Sequence, residues 1–111
     1  MAEYVLRKGD LITLTFDPQS GHEQRGRRPA LVVSNDLFNR HTGLCIVCPI
    51  TNTRRDYPFH VSIPQGQDVA RFVMVEQVKS IDFRSRKARR IAKAPEQVLE
   101  EALSILDACI Y

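Results

Sequence analysis

The stretch Gly21-His22-Glu23-Gln24-Arg25-Gly26-Arg27-Arg28-Pro29 places a carboxylate, an imidazole, an amide and three guanidinium groups on a glycine-punctuated segment. It runs directly into the apolar run Ala30-Leu31-Val32-Val33. Guanidinium forks hold phosphate oxygens at two points, and the rigid end of a strand is a good place from which to present them. Pro29 pushes Arg28 toward extended backbone and so sets how that residue enters the strand. A second polar position, Thr51, lies two residues beyond Pro49 at the end of another apolar run. If the two runs are neighbours in an antiparallel sheet, Arg28 and Thr51 converge on one groove.

Such a pair meets the demands of phosphodiester cleavage in RNA. The substrate carries its own nucleophile, the 2′-hydroxyl, so no activated Ser or Cys and no metal is required. What is required is a set of positioned donors for the charge that builds on phosphorus, and groups that move protons. Arg28 supplies a two-point grip, and Thr51 supplies a hydroxyl donor to the same phosphoryl group or to the leaving oxygen. Glu23 is a candidate proton acceptor, with His22 as its competitor because imidazole titrates near neutrality. Taken singly, Arg28 also reads as a surface arginine and Thr51 as a turn residue bonded to its own backbone. By the same reasoning, His22 reads as a loop residue lining the groove and Glu23 as a salt-bridge partner.

These groups need a scaffold. Leu11–Phe16 alternates and is rich in β-branched residues, which predicts a strand after a turn at Gly9-Asp10. Ala30–Ser34 is an unbroken apolar run and implies a strand buried on both faces. Asn35-Asp36 caps a helical turn through Leu37 and Phe38. Further strands are expected at Cys45–Pro49, Pro58–Ile63, Ala70–Val75 and Val78–Phe83, with a polar loop at 51–57 and a turn at Gln65-Gly66-Gln67-Asp68. From Pro95 the period changes: Leu99, Ala102, Leu103, Leu106 and Ile110 fall on one face of a helix, with Glu96 in its first turn. Six short strands and one amphipathic helix describe a mainly β fold, a small antiparallel barrel or strongly curled sheet.

The 111 residues fit one domain, 1–111, and no apolar run approaches the length of a membrane span. The N-terminus lacks the order of a signal peptide, which makes the cytoplasm the expected location. The count of three cysteines is odd and argues against a disulfide framework. Cys45 and Cys48 form a C-x-x-C pair, but in a strand they point to opposite faces, and no second paired spacing completes a zinc site. Buried reduced thiols are the expected outcome, with no metal or other cofactor. The net charge of +3 is unevenly spread. Arg25, Arg27 and Arg28 form one basic cluster; Arg84, Arg86, Lys87, Arg89, Arg90 and Lys93 form a second, readable as a polyanion contact or as a solvated face.

Several segments together carry a resemblance: Gly9-Asp10, Phe16-Asp17-Pro18, Gly21 to Ala30, Pro49-Ile50-Thr51, Tyr57-Pro58-Phe59 and Glu76-Gln77-Val78-Lys79-Ser80. The chain resembles the MazF/PemK toxin endoribonucleases, the toxin half of bacterial toxin–antitoxin pairs, over essentially its whole length. The resemblance implies an SH3-like antiparallel β-barrel with a C-terminal α-helix, acting as a homodimer. It implies sequence-specific, metal-independent cleavage of single-stranded RNA that leaves a 2′,3′-cyclic phosphate and a 5′-hydroxyl. The family's key arginine falls on Arg28, its key threonine on Thr51 and its motif glutamate on Glu23. RNA contacts are expected from His22, Gln24, Arg25, Arg27, Thr53, Arg54, Arg55, Gln77 and Lys79, the loop 53–55 tuning which bases are accepted. The implied partner is an acidic, MazE-like antitoxin segment that folds across the basic groove. Glu76 stands where many relatives carry Asp, and Asn52 where some carry a second hydroxyl. Two alternatives are a non-catalytic RNA-binding module and a CcdB-like gyrase-poisoning toxin; the second mode uses a C-terminal Trp, and this chain has none.

Overall fold

A computed structural model describes residues 5–15, 27–64 and 71–111. In chain order its elements are β1 (Asp10–Leu14), β2 (Arg28–Val32), α1 (Asp36–Thr42), β3 (Leu44–Thr51), β4 (His60–Ile63), β5 (Arg71–Met74), a 3₁₀ turn (Val75–Gln77), β6 (Lys79–Asp82), β7 (Arg89–Lys93) and α2 (Glu96–Ile110). The strands run β4-β5-β3-β2-β1-β7, with β6 also pairing β3. Every pairing is antiparallel. The sheet curls into a half-barrel with α2 against its outer side, as the sequence implied.

Two apolar layers hold this shape. Ile12 and Leu14 of β1, Ala30 and Val32 of β2, Cys45 and Val47 of β3 and Ile81 of β6 fill the barrel interior. Leu31, Cys48 and Ile50 face the other way and pack with Val61, Val73 and the α2 residues Val98 and Ala102. The period of two thus sends Cys45 and Cys48 into different layers, as expected for a strand. Burial, aided by nearby Asp10, pushes the Cys45 thiol up to about 12. Burial, aided by Glu76, pushes Cys48 up to about 12 as well.

Local chemistry explains the ends of the elements. Asn35 caps α1 by accepting the Phe38 N–H at 2.8 Å, and Gly43, at φ 74°, closes it in the left-handed region. Gly9, at φ 94°, makes the turn before β1; its N–H donates to the Val32 carbonyl and its carbonyl accepts from Ala94. Pro95 stands at the N-terminal boundary of α2, where its missing N–H does no harm.

Three expectations need correction. A seventh strand, β7, forms at Arg89–Lys93 and pairs with β1. Its residues are all exposed, so it carries no alternation of apolar and polar side chains. Thr51 is the last residue of β3 rather than a loop residue, because the ladder to β5 continues through the Thr51–Phe72 pair. Ile110 is 70 % exposed while Val98 is buried. Burying such a side chain stabilises by about 1.5–3 kcal/mol, and here Val98 anchors the helix where Ile110 does not. The strand expected through Phe16 and the turn at 65–68 reach outside the described residues.

Candidate functional site

β2 and β3 pair in the register Ala30–Pro49, Leu31–Cys48 and Val32–Val47. Continued by two residues, that register sets Arg28 across from Thr51. Both line a cleft of about 320 Å³ at the rim of the sheet, together with Arg27, Pro29, Ile50, Asn52, Thr53 and Arg71. Three of these residues carry guanidinium groups and none carries a carboxylate. The described part of this cleft is therefore cationic by composition, which favours anionic ligands.

Thr51 accepts a hydrogen bond from the Thr53 N–H at 3.1 Å. That bond uses an oxygen lone pair and leaves the hydroxyl proton available to a ligand. The turn reading and the catalytic reading of this residue are thus compatible. Arg27 is committed differently: its Nε donates to Thr13 Oγ1 at 3.1 Å and its Nη2 to the Thr13 carbonyl at 2.9 Å. Nη2 also donates to the Lys87 carbonyl. Arg27 ties the start of β2 to β1 and to the β6–β7 turn, beside Arg28.

The loop after Thr51 is exposed from Asn52 to Phe59. Arg54 sits 5.8 Å from the Phe72 ring centre and 3.8 Å from Asp56. Arg55 lines two adjoining clefts, of about 390 and 460 Å³, that share Tyr57 and His60. Phe72, the β5 partner of Thr51, lines the first of these and so borders the Arg28–Thr51 cleft. Gln77 lines the second with Met74 and Glu76. Lys79 opens β6, paired with Val47. Glu23, His22, Gln24 and Arg25 lie outside the described residues. Among the described residues no three His, Cys, Asp or Glu side chains cluster as a metal site would need.

The second basic cluster is partly structural. Arg90 Nε donates to the buried Asp10 carboxylate at 3.0 Å, and Arg86 Nη1 donates to the Thr15 carbonyl at 3.2 Å. Both bonds seal the seam where β7 meets β1. Sequence reasoning missed Arg71 and His60. Arg71 is an isolated cation that only the β3–β5 pairing brings to Thr51. His60 passes in sequence for an ordinary strand residue.

A curled antiparallel sheet, one C-terminal helix and a guanidinium-lined cleft at the rim define a small β-barrel protein with a cationic cleft. The chain belongs to the family described as PemK-like, MazF-like toxin of type II toxin–antitoxin system, whose model matches residues 7–110. It is 39 % identical over 109 residues to the endoribonuclease toxin MazF of Escherichia coli K12, covering 96 % of this chain and 97 % of that one. It is 44 % identical over 108 residues to the endoribonuclease toxin ChpB of the same organism, covering 93 % and 92 %. The MazE–MazF crystal structure (Form-II) from Deinococcus radiodurans contains a chain that superposes with a TM-score of 0.87 at 44 % identity, covering 97 % of each chain.

Proposed function

We propose that this protein is a MazF-type endoribonuclease toxin that cuts single-stranded RNA at short specific sequences. The 2′-hydroxyl attacks the adjacent phosphorus, the bond to the 5′-oxygen breaks, and the products are a 2′,3′-cyclic phosphate and a 5′-hydroxyl. The observation that carries this reading is the meeting of Arg28 and Thr51 on one cationic cleft. Arg28 grips the non-bridging oxygens as charge builds on them, and the Thr51 hydroxyl donates to the same group or to the leaving oxygen. Arg71 adds a second cation for the neighbouring backbone. Glu23 takes the 2′-hydroxyl proton, with His22 as the competing base. Because the substrate brings its own nucleophile, the reaction as proposed needs no metal.

Base reading falls to Thr53, Arg54, Arg55 and Gln77 around the adjoining clefts, with Lys79 and the segment His22, Gln24 and Arg25 on the strand backbone. Arg27 serves chiefly by holding Arg28 in place. An acidic MazE-like antitoxin segment neutralises the toxin by covering the same cationic rim; the Form-II crystal structure named above is one of a MazE–MazF pair. The active form is a homodimer in the cytoplasm. In support of a second copy, Leu11, Pro29, Ile50, Ile63, Ile91 and Ala92 line a mainly apolar recess beside the cleft, with Arg71 at its edge.

The test is Arg28→Ala on a defined single-stranded transcript with chelator present, with product ends identified by sequencing. Loss of one such donor lowers the rate by about 10²–10³, with the fold and oligomeric state intact. A wild-type rate in that variant would overturn the assignment. Binding without any cleavage by the wild-type protein would favour the RNA-binding module instead.

A further inference from the structure

The adjoining clefts have a feature that the phosphate chemistry does not use. The His60 side chain is 4 % exposed, and its Nε2 lies 3.1 Å from Glu76 Oε2. An ionised carboxylate only accepts, so Nε2–H donates to it, and Nδ1 is left buried without a hydrogen-bond partner. His60 sits where the chain leaves the exposed loop 52–59 and enters β4, and Glu76 belongs to the 3₁₀ turn after β5; the two segments are neighbours through the His60–Met74 pair and the Val75 N–H that donates to the Phe59 carbonyl. The Tyr57 ring packs edge-on against the imidazole at 5.1 Å between centres, and Phe59 packs edge-on against Tyr57 at 5.5 Å. The imidazole therefore adds a side-chain tie between two walls that the backbone already holds together. One carries Arg55 and the Tyr57 ring; the other carries Glu76 and Gln77.

Those walls have the chemistry of a nucleobase reader. An exposed aromatic ring stacks on any base, a primary amide answers a base edge, and a guanidinium holds the attached phosphate. Selectivity in such a cleft depends on the distance between stacking ring and amide. We propose that His60 is a positioning residue for substrate selectivity: by holding the Glu76 carboxylate and seating the Tyr57 ring, it fixes how that ring and carboxylate stand beside Gln77, and so which base of the RNA beside the cut is accepted. The inference rests on the endoribonuclease reading of the Arg28–Thr51 cleft. It assigns to the His60–Glu76 pair no part in the chemical step.

The test compares wild type with His60→Phe, His60→Gln and Glu76→Ala on one long transcript, sequencing all fragment ends. His60→Phe keeps a ring but removes the donor; His60→Gln returns an N–H at about the reach of Nε2. Glu76, at 27 % side-chain exposure, gives a variant that should fold even if His60→Phe does not. The expected result is that His60→Phe and Glu76→Ala lower the ratio of preferred to single-mismatch cleavage by about tenfold, the scale of one hydrogen bond to a charged group. The loss falls on KM rather than on the saturated rate, the double variant is no worse than either single one, and His60→Gln restores the ratio. A merely structural histidine would lower the melting temperature and slow cleavage at all sites in parallel with the ratio unmoved, and that result overturns the proposal. An unchanged ratio in Glu76→Ala overturns it equally. If the wild-type protein cuts no RNA, the enzyme reading itself has failed; if it cuts and the ratio does not move, only the role of His60 has.

Discussion

Replacing Thr51 by Val separates two roles that one hydroxyl plays. The substitution keeps the β-branched volume and so leaves the end of β3 filled. It removes the acceptor for the Thr53 N–H, a 3.1 Å bond in an exposed turn. Water takes over that donor, so the structural loss is near the low end for a hydrogen bond, about 0.5 kcal/mol, or a melting point lower by about 2–4 °C. The catalytic loss is of another size. A positioned donor to a phosphoryl group in a cationic cleft is worth about 2.7–4 kcal/mol in the transition state, or roughly 10²–10³ in rate. Single-turnover cleavage at saturating RNA, read beside a thermal melt of the same sample, measures both quantities. The expected result is a rate loss several times larger, in free energy, than the stability loss. Thr51→Ser, which keeps the hydroxyl, should recover most of the rate. A Thr51→Val enzyme within about threefold of wild type, a difference below 1 kcal/mol, would refute the reasoning and leave Thr51 as a turn residue only.

Arg27→Ala should cost stability first. It removes bonds to Thr13 and to the Lys87 carbonyl, so the urea midpoint should fall by the equivalent of about 1–2 kcal/mol, with a smaller rate loss than Arg28→Ala. Arg71→Ala should weaken RNA binding at every sequence alike and lower the slope of log affinity against log salt by about 0.7, one phosphate contact on a single strand; a change confined to one base position would contradict this. At pH 8 a thiol reagent should label only the exposed Cys109 in the folded protein and all three cysteines after denaturation. Cys45 and Cys48 have thiols raised in the fold from 9.0 to about 12. The unfolded chain loses those protons first, so their contribution to stability is intact below pH 9 and declines as pH rises toward 12. A Cys45→Ala/Cys48→Ala variant should show a flatter decline across that range in denaturant titrations.

What could be read from sequence follows from where the determining forces are local. The period of two in β1, the capping Asn35, the Pro95 boundary and the burial of both β3 cysteines are properties of short segments, and the structure carries them. Arg28 and Thr51 were legible because each sits at the end of an apolar run, so a strand pairing was enough to join them. β7 was not, since Arg89-Arg90-Ile91-Ala92-Lys93 is a strand only by virtue of the β1 backbone it pairs with. Arg71 reaches the cleft through β5, after the segment 65–70, and no spacing in the chain announces that contact. The His60–Glu76 pair joins residues 16 apart whose proximity depends on the fold of β4 against the 3₁₀ turn.

The placement of the site also follows from the two apolar layers. β3 is held on both faces, by Cys45 and Val47 within the barrel and by Cys48 and Ile50 beneath α2. Displacing its end would open both layers at once, and each fully buried side chain among them contributes about 1.5–3 kcal/mol. Thr51 therefore stands on the most firmly held strand of the sheet, with Arg28 across from it in continued register. Beyond it the constraint relaxes: Asn52 to Phe59 is exposed throughout, and side-chain changes in its first half, at 52–56, cost little stability. In the function proposed above, the chemical step is thus assigned to a strand tied to the core, and base reading to a loop that is free to vary. Substitutions in 53–55 should accordingly shift which sequences are cut far more than how fast a good sequence is cut, whereas core changes beneath β3, such as Ile50→Ala, should slow cleavage of every sequence together.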